Sequence, residues 1–214
     1  MRLDHVSYVA SHDQISDVVQ RIGSQIGTAF VDGGIHPRFG TRNFTAPLLN
    51  GQYIEVVCPL EHPAAEQTPW GKAVNRKARD GGGWLTWVFS IPEISAIEQK
   101  FGRKAVEGHR TLPSGLDLKW KQIGVIEISD NPELPFFIEW LVRTHPSLDF
   151  DPKSGIIGIE ISSKTELQDS WFRDEILASL SEIKINYVNP ENTDDYKGIS
   201  KVVFKTPNGI VEIE

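Results

Sequence analysis

The stretch Leu3-Asp4-His5-Val6-Ser7-Tyr8-Val9-Ala10-Ser11-His12-Asp13-Gln14 reads as a strand that runs into the start of a helix. Its first eight residues are rich in β-branched and aromatic side chains and apolar on both faces, as in a strand covered on two sides. Ser11 to Gln14 spells an S-x-x-Q capping box. Ile15, Val18, Val19, Ile22 and Ile26 follow at the spacing of one helix face, and Gly27 stands where a left-handed C-terminal cap belongs.

The same grammar recurs downstream. WLTWVFS, residues 84–90, runs into Ser90-Ile91-Pro92-Glu93, then Ile94, Ile97, Phe101 and Gly102. IIGIEIS, residues 156–162, runs into Ser163-Lys164-Thr165-Glu166, then Leu167, Trp171, Leu177 and Leu180. Each predicted helix is followed by extended segments that end on a strand with a central glutamate: YIEVV around Glu55, FFIEWL around Glu139 and IVEIE around Glu212. Asn50-Gly51 and Asn208-Gly209 are hairpin signals ahead of two of these strands. A unit of strand, helix and about three strands is thus written three times, over residues 1–80, 81–148 and 149–214. Gly81-Gly82-Gly83 links the first two units, and residues 149–154 mark a softer boundary before the third. The expected class is α+β, with two β-α-β-β-β units making a cup-shaped mixed sheet with outer helices and a third, partial unit beside it.

The chain has 214 residues with 22 Lys+Arg against 29 Asp+Glu, a formal charge of -7. That balance, without a segregated basic face, argues against a nucleic-acid partner. No apolar run approaches the roughly 18 to 20 residues that cross a bilayer, and the N-terminus lacks a signal segment, so a cytoplasmic protein away from membranes is expected. A single cysteine, Cys58, leaves no intramolecular disulfide and no multi-cysteine zinc site. Cys58 falls on the opposite strand face from Glu55 and reads as a packed core thiol.

Strand alternation puts Leu3, His5, Ser7 and Val9 on one face, and Tyr53, Glu55 and Val57 on one face of theirs. A glutamate inside an apolar strand is costly to bury unless it is paired, hydrogen-bonded or metal-bound. Pairing of the glutamates with Arg38, Arg42 or Lys119 is one explanation. The loop Gly33-Gly34-Ile35-His36-Pro37-Arg38-Phe39-Gly40-Thr41-Arg42-Asn43 gathers a histidine and two arginines, and His109-Arg110 echoes it in the second unit. Arginine forks suit carboxylate or phosphate oxygens. An anionic or oxygen-rich small-molecule ligand is therefore expected, near His36, Arg38, Arg42 and Asn43.

LDHVSYVA, the HPRFGTRNF loop, YIEVV, GGGW and LPFFIEWL resemble the glyoxalase-like domain proteins of the vicinal oxygen chelate superfamily, over roughly residues 1–145. The resemblance implies metal ligands on the opening and closing strands of each unit. Position by position these are His5 and Glu55 in the first unit and Glu139 in the second, while Thr86 stands opposite His5 where a fourth ligand would be. One imidazole and two carboxylates suit Mn, Fe, Ni, Co or Zn. The resemblance then implies a lyase, isomerase or hydrolase acting on a small oxygenated or anionic metabolite, with Glu55 and Glu139 as catalytic groups and Thr86 at the ligand. The competing readings are a metal-free pocket and a protein that sequesters a small molecule without chemistry, as the bleomycin-resistance relatives do. The third unit, without a histidine on its opening strand, is expected to pack within the monomer, and a homodimer is the alternative.

Overall fold

The computed structural model describes residues 1–148, 150–163, 174, 176, 178, 180, 182–189 and 197–214. Strand β1, Arg2–Val9, leads into helix α1, Ile15–Ile26, and then strands β2, Val31–His36, β3, Thr41–Leu48, and β4, Gln52–Pro59. Gly27 caps α1 in the left-handed conformation, its N–H donating to the Gly23 carbonyl. The N-cap is Gln14, without a side-chain hydrogen bond, so the expected capping box does not form. Asn50 and Gly51 both adopt positive φ, as the hairpin signal requires. After the short helix α2, Ala64–Gln67, and α3, Pro69–Arg79, the pattern repeats: β5, Gly83–Ser90, α4, Ser95–Phe101, β6, Val106–Thr111, β7, Asp117–Ile123, a single turn α5, Glu127–Asp130, and β8, Phe136–Trp140.

These eight strands close into a barrel in the order β1-β4-β3-β2-β6-β7-β8-β5. Each half has the same plan, with the opening strand parallel to the closing one and antiparallel ladders elsewhere. The halves meet along a full antiparallel β1–β5 ladder. On the far side they meet through one pair, Ile35 with Thr111. The barrel interior is packed at one end by α3, whose Trp70 and Val74 meet Val9, Val57, Val88 and Phe136. This helix was not anticipated, although Thr68 followed by Pro69 is a start signal: the Thr68 hydroxyl accepts from Gly71 N–H, and Pro69 opens the first turn.

The remaining strands, β9, Gly155–Ser162, β10, Lys184–Val188, β11, Gly198–Thr206, and β12, Gly209–Ile213, form a second sheet in the order β10-β9-β11-β12. Here the opening strand lies parallel to its successor, and the closing strand sits at the far edge. The third stretch therefore repeats the strand sequence of the first two without their strand order. The expected capping box and most of the helical stripe, Lys164 to Trp171 and Leu177, lie outside the described residues; Leu180 is buried. The second sheet packs on the outer face of the barrel, where Ile159, Val202 and Phe204 join Val6, Trp84 and Ile22 of α1 in one apolar layer. Among the described residues no helix is long and apolar enough to cross a membrane.

Candidate functional site

Glu55 lies inside the barrel on β4, beside Ser7 of β1 in the parallel register, and is 5% exposed. The Ser7 hydroxyl donates to its Oε2 at 2.7 Å, and Asn43 Nδ2 of β3 donates to its Oε1 at 2.6 Å. Burial opposes ionisation, but His5 and His36, the Ser7 hydroxyl and Arg110 outweigh it and hold the carboxyl below its ordinary range. Glu55 is thus a buried carboxylate at neutral pH.

His5 lies two residue pairs from Glu55 along the same ladder and on the same face, with Nε2 3.9 Å from Glu55 Oε2. Its other nitrogen, Nδ1, meets Asp4 Oδ2 at 3.0 Å. Neighbouring residues of a regular strand point to opposite faces. Here Leu3 pairs with Phe89 and His5 with Val88, so Asp4 is the extra residue of a bulge, and this brings it to its own neighbour's ring. Asp4 is fully buried and also meets His145 Nε2 at 3.1 Å and Arg2 Nη2 at 2.9 Å. Burial disfavours its charge, yet the hydrogen bonds from His145 and His5 keep the carboxyl far below the usual carboxylate range. An ionised carboxylate only accepts, which assigns the proton to His5 Nδ1 and turns Nε2 toward the pocket. The ring is further fixed by stacking on Tyr53 at 4.4 Å.

The opposite wall comes from β2, β6 and β7. His36 Nδ1 lies 2.8 Å from the Thr41 hydroxyl, and its ring packs against Trp120 and Phe39. Burial lowers its pKa to about 4, so the imidazole is neutral at pH 7. Arg110 on β6 is 2% exposed, its Nε has no hydrogen-bond partner, and no carboxylate pairs with it among the described residues. Gly33 makes room for it, because a Cβ there would come within 2.8 Å of Arg110 Nη1 and 2.2 Å of Asn43 Oδ1. Trp120 donates its indole N–H to Gln122 Oε1 at 2.8 Å. These groups, with Trp70, Phe136, Ile138 and Trp140, line a pocket of about 390 Å³. It is narrow, since its lining side chains are buried apart from the half-buried Trp140.

Of the residues expected at the site, His5, His36 and Glu55 line this pocket, and Asn43 supports Glu55 from beside it. Glu139 does not join them. Phe136, Ile138 and Trp140 of β8 face inward, and Glu139 faces outward, where its Oε2 accepts the Ile94 N–H at the start of α4 at 2.8 Å and its Oε1 lies 3.8 Å from Lys121 Nζ. The closing strands pair with their opening strands at the same offset in both halves, Ser7 with Glu55 and Val88 with Phe136, so Phe136 occupies the place of Glu55, and Glu139, three residues further on, falls on the opposite face. The same contact replaces the expected Ser90 to Glu93 capping box of α4. Thr86 is buried beside Ser7 and donates to the Trp87 carbonyl, away from the pocket lining. Arg38 is exposed, and Arg42 pairs with Asp32 at 2.5 Å and covers the Phe44 ring. Glu212 pairs with Lys201 on the second sheet.

The groups that the sequence did not single out are Arg110, Gln122, Asp4 and His145. For Arg110 the signal was present in the His109-Arg110 echo. For Asp4 there was none, since a bulge is not written in strand periodicity. The outward Cys58 is buried, and its thiol is pushed up to about 11 by burial, as for a packed core residue.

The metal set implied by the resemblance does not fit this arrangement. Glu139 is on the other side of its strand, both oxygens of Glu55 already accept hydrogen bonds, and among the described residues no three His, Cys, Asp or Glu side chains are grouped to hold an ion.

A family model described as "Glyoxalase-like domain" matches residues 3–177, well over half of the chain. No curated protein sequence matches it significantly. Among solved structures, a hypothetical protein from Staphylococcus aureus superposes with a TM-score of 0.58 at 17% identity, covering 100% of this chain and 85% of that one. Methylmalonyl-CoA epimerase from Mycobacterium tuberculosis gives 0.43 at 13% identity, covering 65% and 86% of the two chains. The Streptomyces coelicolor epimerase gives 0.45 at 15%, covering 66% and 99%. At these identities the likeness is one of fold. The span of the family match, together with a barrel built from two identically ordered halves, makes the chain a member of the glyoxalase-like domain family.

Proposed function

We propose that the barrel pocket binds a small anionic, oxygen-bearing molecule and moves a proton on it, as an isomerase or lyase of the glyoxalase-like kind. The observation that carries this reading is the juxtaposition of an ionised Glu55, an Asp4-oriented imidazole of His5 and a buried, unpaired Arg110 around one narrow pocket. Arg110 supplies the positive charge that a carboxylate or similar group needs, in surroundings where a guanidinium fork is poorly hydrated. With the anion held there, an acidic C–H or O–H on the rest of the ligand lies toward His5 and Glu55. His5 Nε2 takes the proton, and Asp4 steadies the imidazolium that results. Glu55, 3.9 Å from the same nitrogen, stabilises that charge as well. Neutral His36 and Gln122 are the polar groups left to meet a ligand oxygen on the opposite wall.

Deuterium exchange tests this. Protein in D₂O is incubated with pyruvate and 2-oxobutanoate, and uptake at the carbon next to the carbonyl is followed by NMR. We expect protein-dependent exchange that falls by about 10²- to 10⁴-fold in Glu55→Gln and in His5→Gln. It should persist in Glu139→Gln. Anion binding that depends on Arg110 without any exchange, on these or a wider panel of oxo acids, would favour the sequestering reading instead. The aromatic lining of Trp70, Trp120, Phe136 and Trp140 is the feature that speaks for that alternative.

A further inference from the structure

Arg110 is shared between two spaces. It lines the inner pocket, and it also lines an outer groove that includes Val31, Leu112, Pro113, Leu118 and Leu148. The groove is the roomier of the two, about 820 Å³ against about 390 Å³. Its walls are mostly apolar, and Val31 and Leu148 are 38% and 47% exposed, which is costly in apolar surface left in water. The groove's acid, Asp32, is already satisfied by Arg42 and by the Gly34 N–H. The groove lies beside the weak seam of the barrel, where Ile35 and Thr111 form the single pair joining β2 to β6.

We propose that this groove is the second half of the binding site and takes the apolar chain of an amphiphilic ligand whose anionic head is held by Arg110. The inference rests on the reading of the inner pocket as an anion site and extends it to the ligand class. The inner space admits only a head of a few atoms. The bulk of the ligand therefore leaves past Arg110, the residue common to both cavities. Apolar walls beside a buried, unpaired cation match a medium-chain carboxylate whose head, the carboxylate at the guanidinium and the carbons next to it, stays inside with His5 and Glu55, and whose chain leaves along Val31, Leu118 and Leu148.

Calorimetric titration with propionate, hexanoate, octanoate and decanoate tests the proposal, with decanol as the uncharged control. Affinity should rise about fourfold for each methylene between hexanoate and decanoate, as expected for burial of the chain. Arg110→Gln should abolish binding of the acids. Val31→Asn and Leu148→Asn, uncharged changes at exposed positions, should weaken decanoate at least tenfold and leave propionate unchanged. Equal affinity for propionate and decanoate, with both dependent on Arg110, would overturn the groove assignment and leave the anion pocket standing. Failure of every acid to bind in an Arg110-dependent way would remove both. Decanol binding as tightly as decanoate would overturn the role of the anionic head.

Discussion

His36 is a buried histidine that folds in its neutral form, and this couples stability to pH in a defined window. Burial lowers its pKa to about 4 from 6.5, so between those values the unfolded chain binds the proton that the folded chain refuses. Stability contributed by neutral His36 is therefore full above about pH 6.5 and is lost as pH falls toward 4, by up to about 3 kcal/mol. Glu55 and Asp4 act in the same direction but lower down, because their carboxyls are depressed from 4.5 and 3.8 and lose their contribution only below those values. Denaturant melts at pH 7 and pH 5 separate the two. His36→Gln, which keeps a polar group near Thr41, should flatten the loss over that interval, whereas Glu55→Gln should leave it in place. An unchanged slope in His36→Gln would remove His36 from the account.

At the scale of elements, the two sides of the barrel seam and the entry to α4 depend on single residues. Glu139 accepts the Ile94 N–H at the first turn of α4, a carboxylate at the positive end of a short helix. Glu139→Gln should cost about 1 kcal/mol of stability, read by chemical denaturation, and leave Arg110-dependent anion binding intact. Gly34 has φ of +89°, and a Cβ there would stand 2.0 Å from the Thr111 carbonyl oxygen across the seam. Gly34→Ala should therefore cost on the order of 3 kcal/mol and loosen the pocket wall that carries Arg110, which calorimetry with octanoate would record as weakened binding. These two residues also mark how much the sequence reveals. The opening strand, the α1 stripe, the Gly27 and Gly102 caps and the Asn50-Gly51 turn are local signals, and each appears in the structure where local physics put it. The face of β8 is not a local property. FFIEWL is apolar on both sides, so only pairing with β5 and β7 decides that Ile138 and Trp140 look inward and Glu139 outward. One of the three expected donors, Glu139, was lost to that choice of face, and the Asp4 bulge, equally non-local, added a partner for His5 that no periodicity announced.

For the whole molecule, the question is whether the second sheet is an appendage or part of one cooperative unit. The barrel's outer face at β1 and β5 is as apolar as its interior, and it is covered by α1 together with β9 and β11. Trp84, 1% exposed on β5, donates its indole N–H to the Ile213 carbonyl at 2.8 Å and faces Phe204 with ring centroids 6.4 Å apart. Ser154 holds both sides together, its hydroxyl donating to the Ile26 carbonyl at the end of α1 and its own carbonyl accepting from Leu49 N–H. With the sheet removed, Val6, Trp84 and Ile22 would face water, a loss that no local change in the barrel can offset. One cooperative transition is therefore expected for the full chain, seen at the same midpoint by tryptophan fluorescence and far-UV circular dichroism. Phe204→Ala should lower the stability of the entire chain by about 3 to 5 kcal/mol, even though Phe204 lies on the second sheet and touches neither His5 nor Arg110. Two separate transitions, with Phe204→Ala shifting only the first, would show instead that the barrel stands without its cover. In that event the sheet would be an independent unit attached to a self-sufficient pocket.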